Sequence, residues 1–206
     1  MIPGEDACCI LLYGDIGEYS DVTAAAIVRE LMEAEASGKR IDVRINSNGG
    51  DVYTGIAIFN ALRGSKADIH IYVDGIAASM ASVIALCGKP VEMSKYARLM
   101  LHSVSGGCYG NKTELRRCLE EVEALENTLC EMYAPKLGTS VEEIRARYFD
   151  DTDHWLKADE ALALGFIDGV YDADPVPEDS TPEQVYRIFN NRLEQPLNDT
   201  QMNLEE

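Results

Sequence analysis

Positive charge is what this chain has least of for its size: 18 Lys and Arg stand against 36 Asp and Glu in 206 residues, a formal net charge of −18. Phosphates repel such a surface, so neither nucleic acid nor an anionic membrane is the expected partner. Long apolar runs are missing too; none reaches the ~18 residues that a membrane span needs. The chain opens without a charged region followed by an apolar one, so no signal peptide is expected and the expected location is the cytoplasm. Six cysteines are present but no CxxC pair, and the neighbours Cys8 and Cys9 cannot easily face one ligand. The expectation is free thiols in a reducing compartment, with no metal and no cofactor. Histidine is scarcer still: His70, His102 and His154 are all there is.

What remains is an ordinary globular composition. A hydrophobic fraction of 46% supports a real core in one domain. Apolar runs at 8–13, 41–45, 68–73, 97–102 and 166–170 read as strands. Helical spacing appears between them: Ile27, Val28, Leu31 and Met32, then a stretch starting at Val52, then 77–87, 111–133, 140–148 and 158–164. Ser20 or Asp21 is placed to cap the first helix and Gly38 to end it. Alternating strands and helices indicate an α/β domain with largely parallel pairing. The last segment differs. Residues 171–206 carry nine acidic residues against two arginines, with prolines at 175, 177 and 182. This divides the chain into a domain at 1–170 and a looser acidic tail at 171–206, in which "TPEQVYRIFNNRL" has the pattern of one short helix.

Chemistry has few places to sit. His70 lies within a strand and His154 within the acidic run "DDTDHW". His102 ends an apolar strand before the glycine-rich "SGGCYGN", where a general base and a plain strand-end polar residue would both fit. Ser79 stands among small residues in "VDGIAASMASVIAL", near the first turn of a helix, where free N–H groups favour a developing oxyanion. Met80 N–H is the natural first donor, and the turn "NSNGGD" supplies Gly49 and Gly50 for a second. Each piece alone is equally consistent with close packing.

Their order along the chain is more specific. "INSNGGDVYTG", "GIAASMAS", "LMLHSVSGGCYGN" and "DTDHWLKADEALALGFIDGV" resemble, in sequence order, the glycine turn, nucleophile, histidine and acid segments of the ClpP family of serine peptidases. The resemblance spans roughly residues 9–170, and 29 positions separate Gly50 from Ser79, as in that family. It implies a ClpP/crotonase-like spiral of ββα units with a protruding handle helix at 111–133. It also implies Ser79 as nucleophile, His102 as base and Asp153 as the acid orienting it. Asp150 and Asp151 are neighbouring competitors, and alignment on "EALALGFID" favours Asp153. Gly50 and Met80 match the oxyanion donors, and Gly49, Gly106 and Gly107 the substrate-binding backbone. An extended polypeptide would be the substrate, and a homo-oligomer of seven-membered rings, stacked in pairs, the assembly.

Three features depart from the family's pattern. Asn48 stands where its glycine turn usually has proline. Asp51 stands where members partnered by an ATPase more often carry an apolar residue. Seven residues precede Cys8, which speaks against a docked unfoldase ATPase. "DGIAASMASVIA" and "NGGDVYTGIAI" look most like the phage and prophage branch, so a head-maturation peptidase is the favoured expectation. The alternative is the proteolytic subunit of an ATP-dependent Clp protease. A crotonase-type acyl-CoA enzyme shares the fold but would not need Ser79, His102 and Asp153 together, and an inert scaffold would not need them at all.

Overall fold

The sheet assembles from the apolar runs that alternate with helices. In the computed structural model, which describes residues 1–4 and 7–171, β2 (Ala7–Tyr13), β3 (Arg40–Ser47) and β4 (Ile69–Ala78) lie parallel, linked by α1 (Ala24–Ser37) and α2 (Val52–Gly64). Residues 2–3 also belong to the sheet: β1 (Ile2–Pro3) pairs antiparallel with Cys8 and Cys9, so the lead-in before Cys8 is not free of structure.

One face of these strands is core. Ile41, Val43 and Ile45 of β3 meet Ile69, Ile71 and Val73 of β4, all buried. Burying each such side chain contributes roughly 1.5–3 kcal/mol. The opposite face is polar and self-paired. Buried Asp42 accepts from Arg40 Nε at 2.9 Å. Arg44 pairs with Asp74, whose carboxylate also accepts from the hydroxyls of Tyr13 and Tyr171. Desolvation raises the Asp42 carboxyl, and the Arg40 guanidinium offsets part of that.

α1 starts later than its sequence suggests. Thr23, not Ser20 or Asp21, is its cap, accepting from Ala26 N at 3.1 Å. A bridge between Ile16 and Val22 holds the preceding residues in a turn, where Asp21 accepts from Asp15 N instead. Gly38, at φ 69°, closes the helix as expected. Its buried stripe is Ile27, Leu31 and Ala34, while Met32 faces outward.

β4 sets up the site by changing partners halfway. Residues Ile71–Val73 pair with β5 (Val91–Ser94), and Ile76–Ala78 pair with β6 (Arg98–Leu101). The strand therefore continues to Ala78, where helical spacing had suggested a helix from 77. α3 (Met80–Ala85) is correspondingly short. β6 in turn pairs antiparallel with β7 (His154–Lys157), which the sequence does not announce, and β8 (Gly169–Tyr171) joins β5.

The long helix α4 (Lys112–Leu137) opens with a capping box of Asn111 and Glu114. Its apolar stripe changes character along its length. Leu115 and Leu119 are exposed, whereas Leu129, Cys130, Tyr133 and Ala134 enter the core. The helix thus projects at one end and packs at the other, against α3 and α5 (Val141–Tyr148). α6 (Ala158–Ala163) completes the domain. The short helix expected in the acidic tail, and the tail itself beyond Tyr171, lie outside the described residues. Among the described residues no helix is long and apolar enough to cross a membrane.

Candidate active site

Strand register brings the candidate residues together. In the parallel β4–β6 pair, Ala78 sits beside Met100, so Ser79 leaves the sheet level with Leu101, one residue before His102. In the antiparallel β6–β7 pair, Leu101 faces His154, which sets His102 opposite Asp153. Residues 23 and 51 positions apart in the sequence thus converge at the end of one three-strand ladder.

Ser79 occupies the junction of β4 and α3 with φ 53° and ψ −126°, a region costly for a side chain, on the order of 1–3 kcal/mol. Its N–H donates to Met100 O at 2.9 Å, and its carbonyl accepts from Ser82 N at 3.0 Å. With the backbone pinned on both sides, Oγ projects to His102 Nε2 at 2.8 Å. This is a formed hydrogen bond between a hydroxyl and an imidazole.

The other side of the imidazole is looser. His102 Nδ1 lies 3.5 Å from Asp153 Oδ1, an ion-pair distance longer than a formed N–H···O bond, and Asp153 is more than half exposed. The competing Asp150 carboxylate is engaged elsewhere. Asp150 accepts from His154 at 2.8 Å and from the Thr152 hydroxyl at 2.7 Å. These bonds, Thr152 first, hold its carboxyl down at about 2. Asp151 has a positive φ of 65° and donates its N–H to Ser103 Oγ. His154 is therefore part of a local clasp within its acidic run, with its ring against Tyr148. His70 remains a strand residue, with Asp68 at 3.3 Å.

The glycine turn runs beneath the nucleophile. Gly49 (φ 95°) is so close that a Cβ there would stand 2.9 Å from both Met80 N and Ser79 Cβ. At Gly50 (φ 145°) a Cβ would stand 2.1 Å from Ile16 O. Ile16 N donates to Gly49 O and Asp51 N to Ile16 O. In that parallel pattern the N–H of Gly50 itself points to the other side. Asp51 caps α2, accepting from Thr54 N at 2.7 Å, and Gly55 of α2 is in close contact with the Met80 side chain. Both expected oxyanion donors, Gly50 and Met80, line one small cavity of about 60 Å³ together with Ser79 and His102.

The same cavity is lined by Ser103, Val104, Ser105 and Tyr133. Gly106 and Gly107 stand beyond it, exposed and with open space around them. The loop is tied to α4 at two places. Val104 N donates to Glu126 Oε1 at 3.1 Å, and Cys108 forms a disulfide with Cys118. This corrects the expectation of six free thiols. Adjacency across the loop and the first turns of α4, invisible in a spacing of ten, makes the pair. Cys8, Cys9, Cys87 and Cys130 are free and buried, and burial pushes the thiols of Cys87 and Cys130 up to about 11. Tyr133 and Ser82 were not singled out by the sequence. The signal was present at Tyr133, four residues beyond Leu129 on the same stripe.

Comparison with known proteins gives the family. The Clp protease family model matches residues 7–174. The chain belongs to the Clp protease family. It is a serine-type peptidase with the α/β, parallel-sheet architecture of that family. The ATP-dependent Clp protease proteolytic subunit of Bacteroides fragilis is 32% identical over 157 residues, covering 74% of this chain and 75% of the relative. Proteolytic subunit 1 of the ATP-dependent Clp protease from Prochlorococcus marinus subsp. pastoris is 35% identical over 158 residues, covering 75% and 80%. Its counterpart in Prochlorococcus marinus strain MIT 9312 is 35% identical over 163 residues, covering 77% and 83%.

Proposed function

We propose that the chain is a serine endopeptidase in which Ser79 attacks the peptide carbonyl. His102 Nε2 takes the serine proton and returns it to the leaving amine. Asp153 holds the Nδ1–H tautomer and stabilises the imidazolium. The tetrahedral oxygen accepts from the N–H groups of Gly50 and Met80, and water then releases the acyl group by the same proton path in reverse. The observation that carries this reading is the 2.8 Å contact between Ser79 Oγ and His102 Nε2 at a strained strand–helix junction. An extended peptide lying beside the glycine turn would bond through its main chain, with Gly49, Gly106 and Gly107 as its backbone contacts.

The assembly is a cytoplasmic homo-oligomer whose subunits meet through α4. Exposed Leu115 and Leu119 on its projecting half support this. The His102–Asp153 contact closes when a neighbouring subunit covers the exposed Asp153, since removing water strengthens such pairs. Two biological settings each have an observation behind them. The relatives' names, ATP-dependent Clp protease proteolytic subunits, support a degradative subunit fed by an unfoldase ATPase. The segments "DGIAASMASVIA" and "NGGDVYTGIAI" support the head-maturation role. Asp51 fits both, because its local task is to cap α2.

The test is intact mass after treatment with a fluorophosphonate, on the wild type and on Ser79→Ala, as subunits and as the largest oligomer recovered. One adduct per subunit on the wild type and none on the variant is expected. An unmodified oligomer would reject the mechanism. Digestion of an unfolded protein without nucleotide, against digestion that needs an added Clp ATPase, separates the two settings.

A further inference from the structure

We propose that Tyr133 and Ser82 are positioning residues that hold the Ser79 peptide in its reactive conformation, linking α4 to the nucleophile. The inference rests on the reading of Ser79 as the nucleophile.

Ser82 Oγ lies 2.6 Å from Ser79 O. A carbonyl only accepts, so the Ser82 proton is committed there. Ser82 Oγ also lies 2.7 Å from Tyr133 OH, and with the Ser82 proton already used, Tyr133 must be the donor. The chain therefore runs in one direction: Tyr133 O–H to Ser82 Oγ, Ser82 O–H to Ser79 C=O. Both residues are fully buried, at 2% and 0% exposure. A directional hydroxyl pair in such a place is strong, and expensive to interrupt.

Its target is the strained residue. Ser79 reaches φ 53° only because its neighbours over-determine it. Met100 O holds its N–H from β6, while Ser82 and Tyr133 hold its carbonyl from α3 and α4. Tyr133 also lines the cavity that Ser79 and His102 share, and its ring meets Phe149 edge-on at 6.2 Å. Phe149 directly precedes the Asp150–Asp153 loop. A single buried side chain thus touches the support of the nucleophile and the base of the acid loop, and it sits on the helix whose other end projects.

Tyr133→Phe removes one oxygen and keeps the ring. Its kcat on a short fluorogenic peptide amide is expected to fall about tenfold with KM unchanged, and its second-order rate with a fluorophosphonate to fall by the same factor. Ser82→Ala should do the same, and the double variant no worse than either, because the two act as one unit. Wild-type labelling and turnover in Tyr133→Phe, or a raised KM with kcat intact, would overturn the proposal. If Tyr133→Phe does not fold, the double variant, which strands no buried hydroxyl, carries the same expectation and the same refutation. Ser79→Ala run in parallel keeps the two readings apart. An adduct on that variant defeats the nucleophile reading, whereas undiminished labelling of Ser79 in Tyr133→Phe defeats only the positioning one.

Discussion

The two halves of the site are built differently. Around Ser79 the backbone is over-determined: a glycine turn without room for a side chain, a serine pinned by β6 and α3, and a closed Ser79–His102 bond. Around Asp153 the chain is exposed, turns on local bonds among Asp150, Thr152 and His154, and leaves the carboxylate 3.5 Å from His102. One subunit's core is enough to set the first half. The second is at the surface, where solvent competes for every polar group. The proposed mechanism thus takes its nucleophile from the rigid half and its acid from the exposed one.

The sharpest way to break the comparison is to add one methyl group to each half. Gly50→Ala forces a Cβ onto Ile16 O at a φ of 145°. We expect activity to fall more than about 100-fold and stability by about 3 kcal/mol, read by peptidase assay and denaturant unfolding. Gly106→Ala and Gly107→Ala meet open space, so stability should change by less than about 0.5 kcal/mol. Any activity lost there reports substrate contact, and unchanged activity removes both from the binding surface.

A second contrast lies between the two partners of His102. His102→Ala should cost about 10³-fold or more in kcat in every state of assembly. Asp153→Asn should cost far less in isolated subunits than in the largest oligomer, where the pair is closed. An equal loss in both would show that the acid is aligned by the subunit alone.

Two smaller effects probe the surface half. Thiol titration of unfolded, unreduced protein should find four reactive cysteines, and six after reduction. Six without reduction would mean that Cys108 and Cys118 do not staple the loop. Finally, the Asp150 carboxyl should titrate near 2 rather than its ordinary 3.8, because Thr152 and His154 bond its charged form. A depressed value means that the contribution of this clasp is complete above the ordinary value and fades as pH falls towards about 2. A carbon-detected titration with a midpoint near 4 would show the Asp150–Asp153 turn open in solution.

Much of this was legible in the chain. The order of "NSNGGD", "GIAASMAS", "LMLHS" and "DTDHW" identified the family and pointed to Ser79, His102 and Asp153, because backbone turns and strand–helix junctions tolerate few residue types. The apolar runs of β2 and β3 and the 3.6-residue stripes of α1 and α4 were local signals and survived into the fold. What the sequence could not decide depends on partners far away along the chain. β4 runs through 74–78 because β6 is there to pair with it, and β7 exists because β6 offers it an edge. Thr23 caps α1 because Val22 is held by Ile16. Cys108 finds Cys118 across a loop that local spacing does not describe. The sequence by itself determined the family and nominated the side chains for its chemistry, since that is a matter of residue type and order. Only the tertiary structure decided how firmly each is held, since strain, burial and hydrogen-bond direction at Ser79, Ser82 and Tyr133 arise from elements that meet only when the chain is folded.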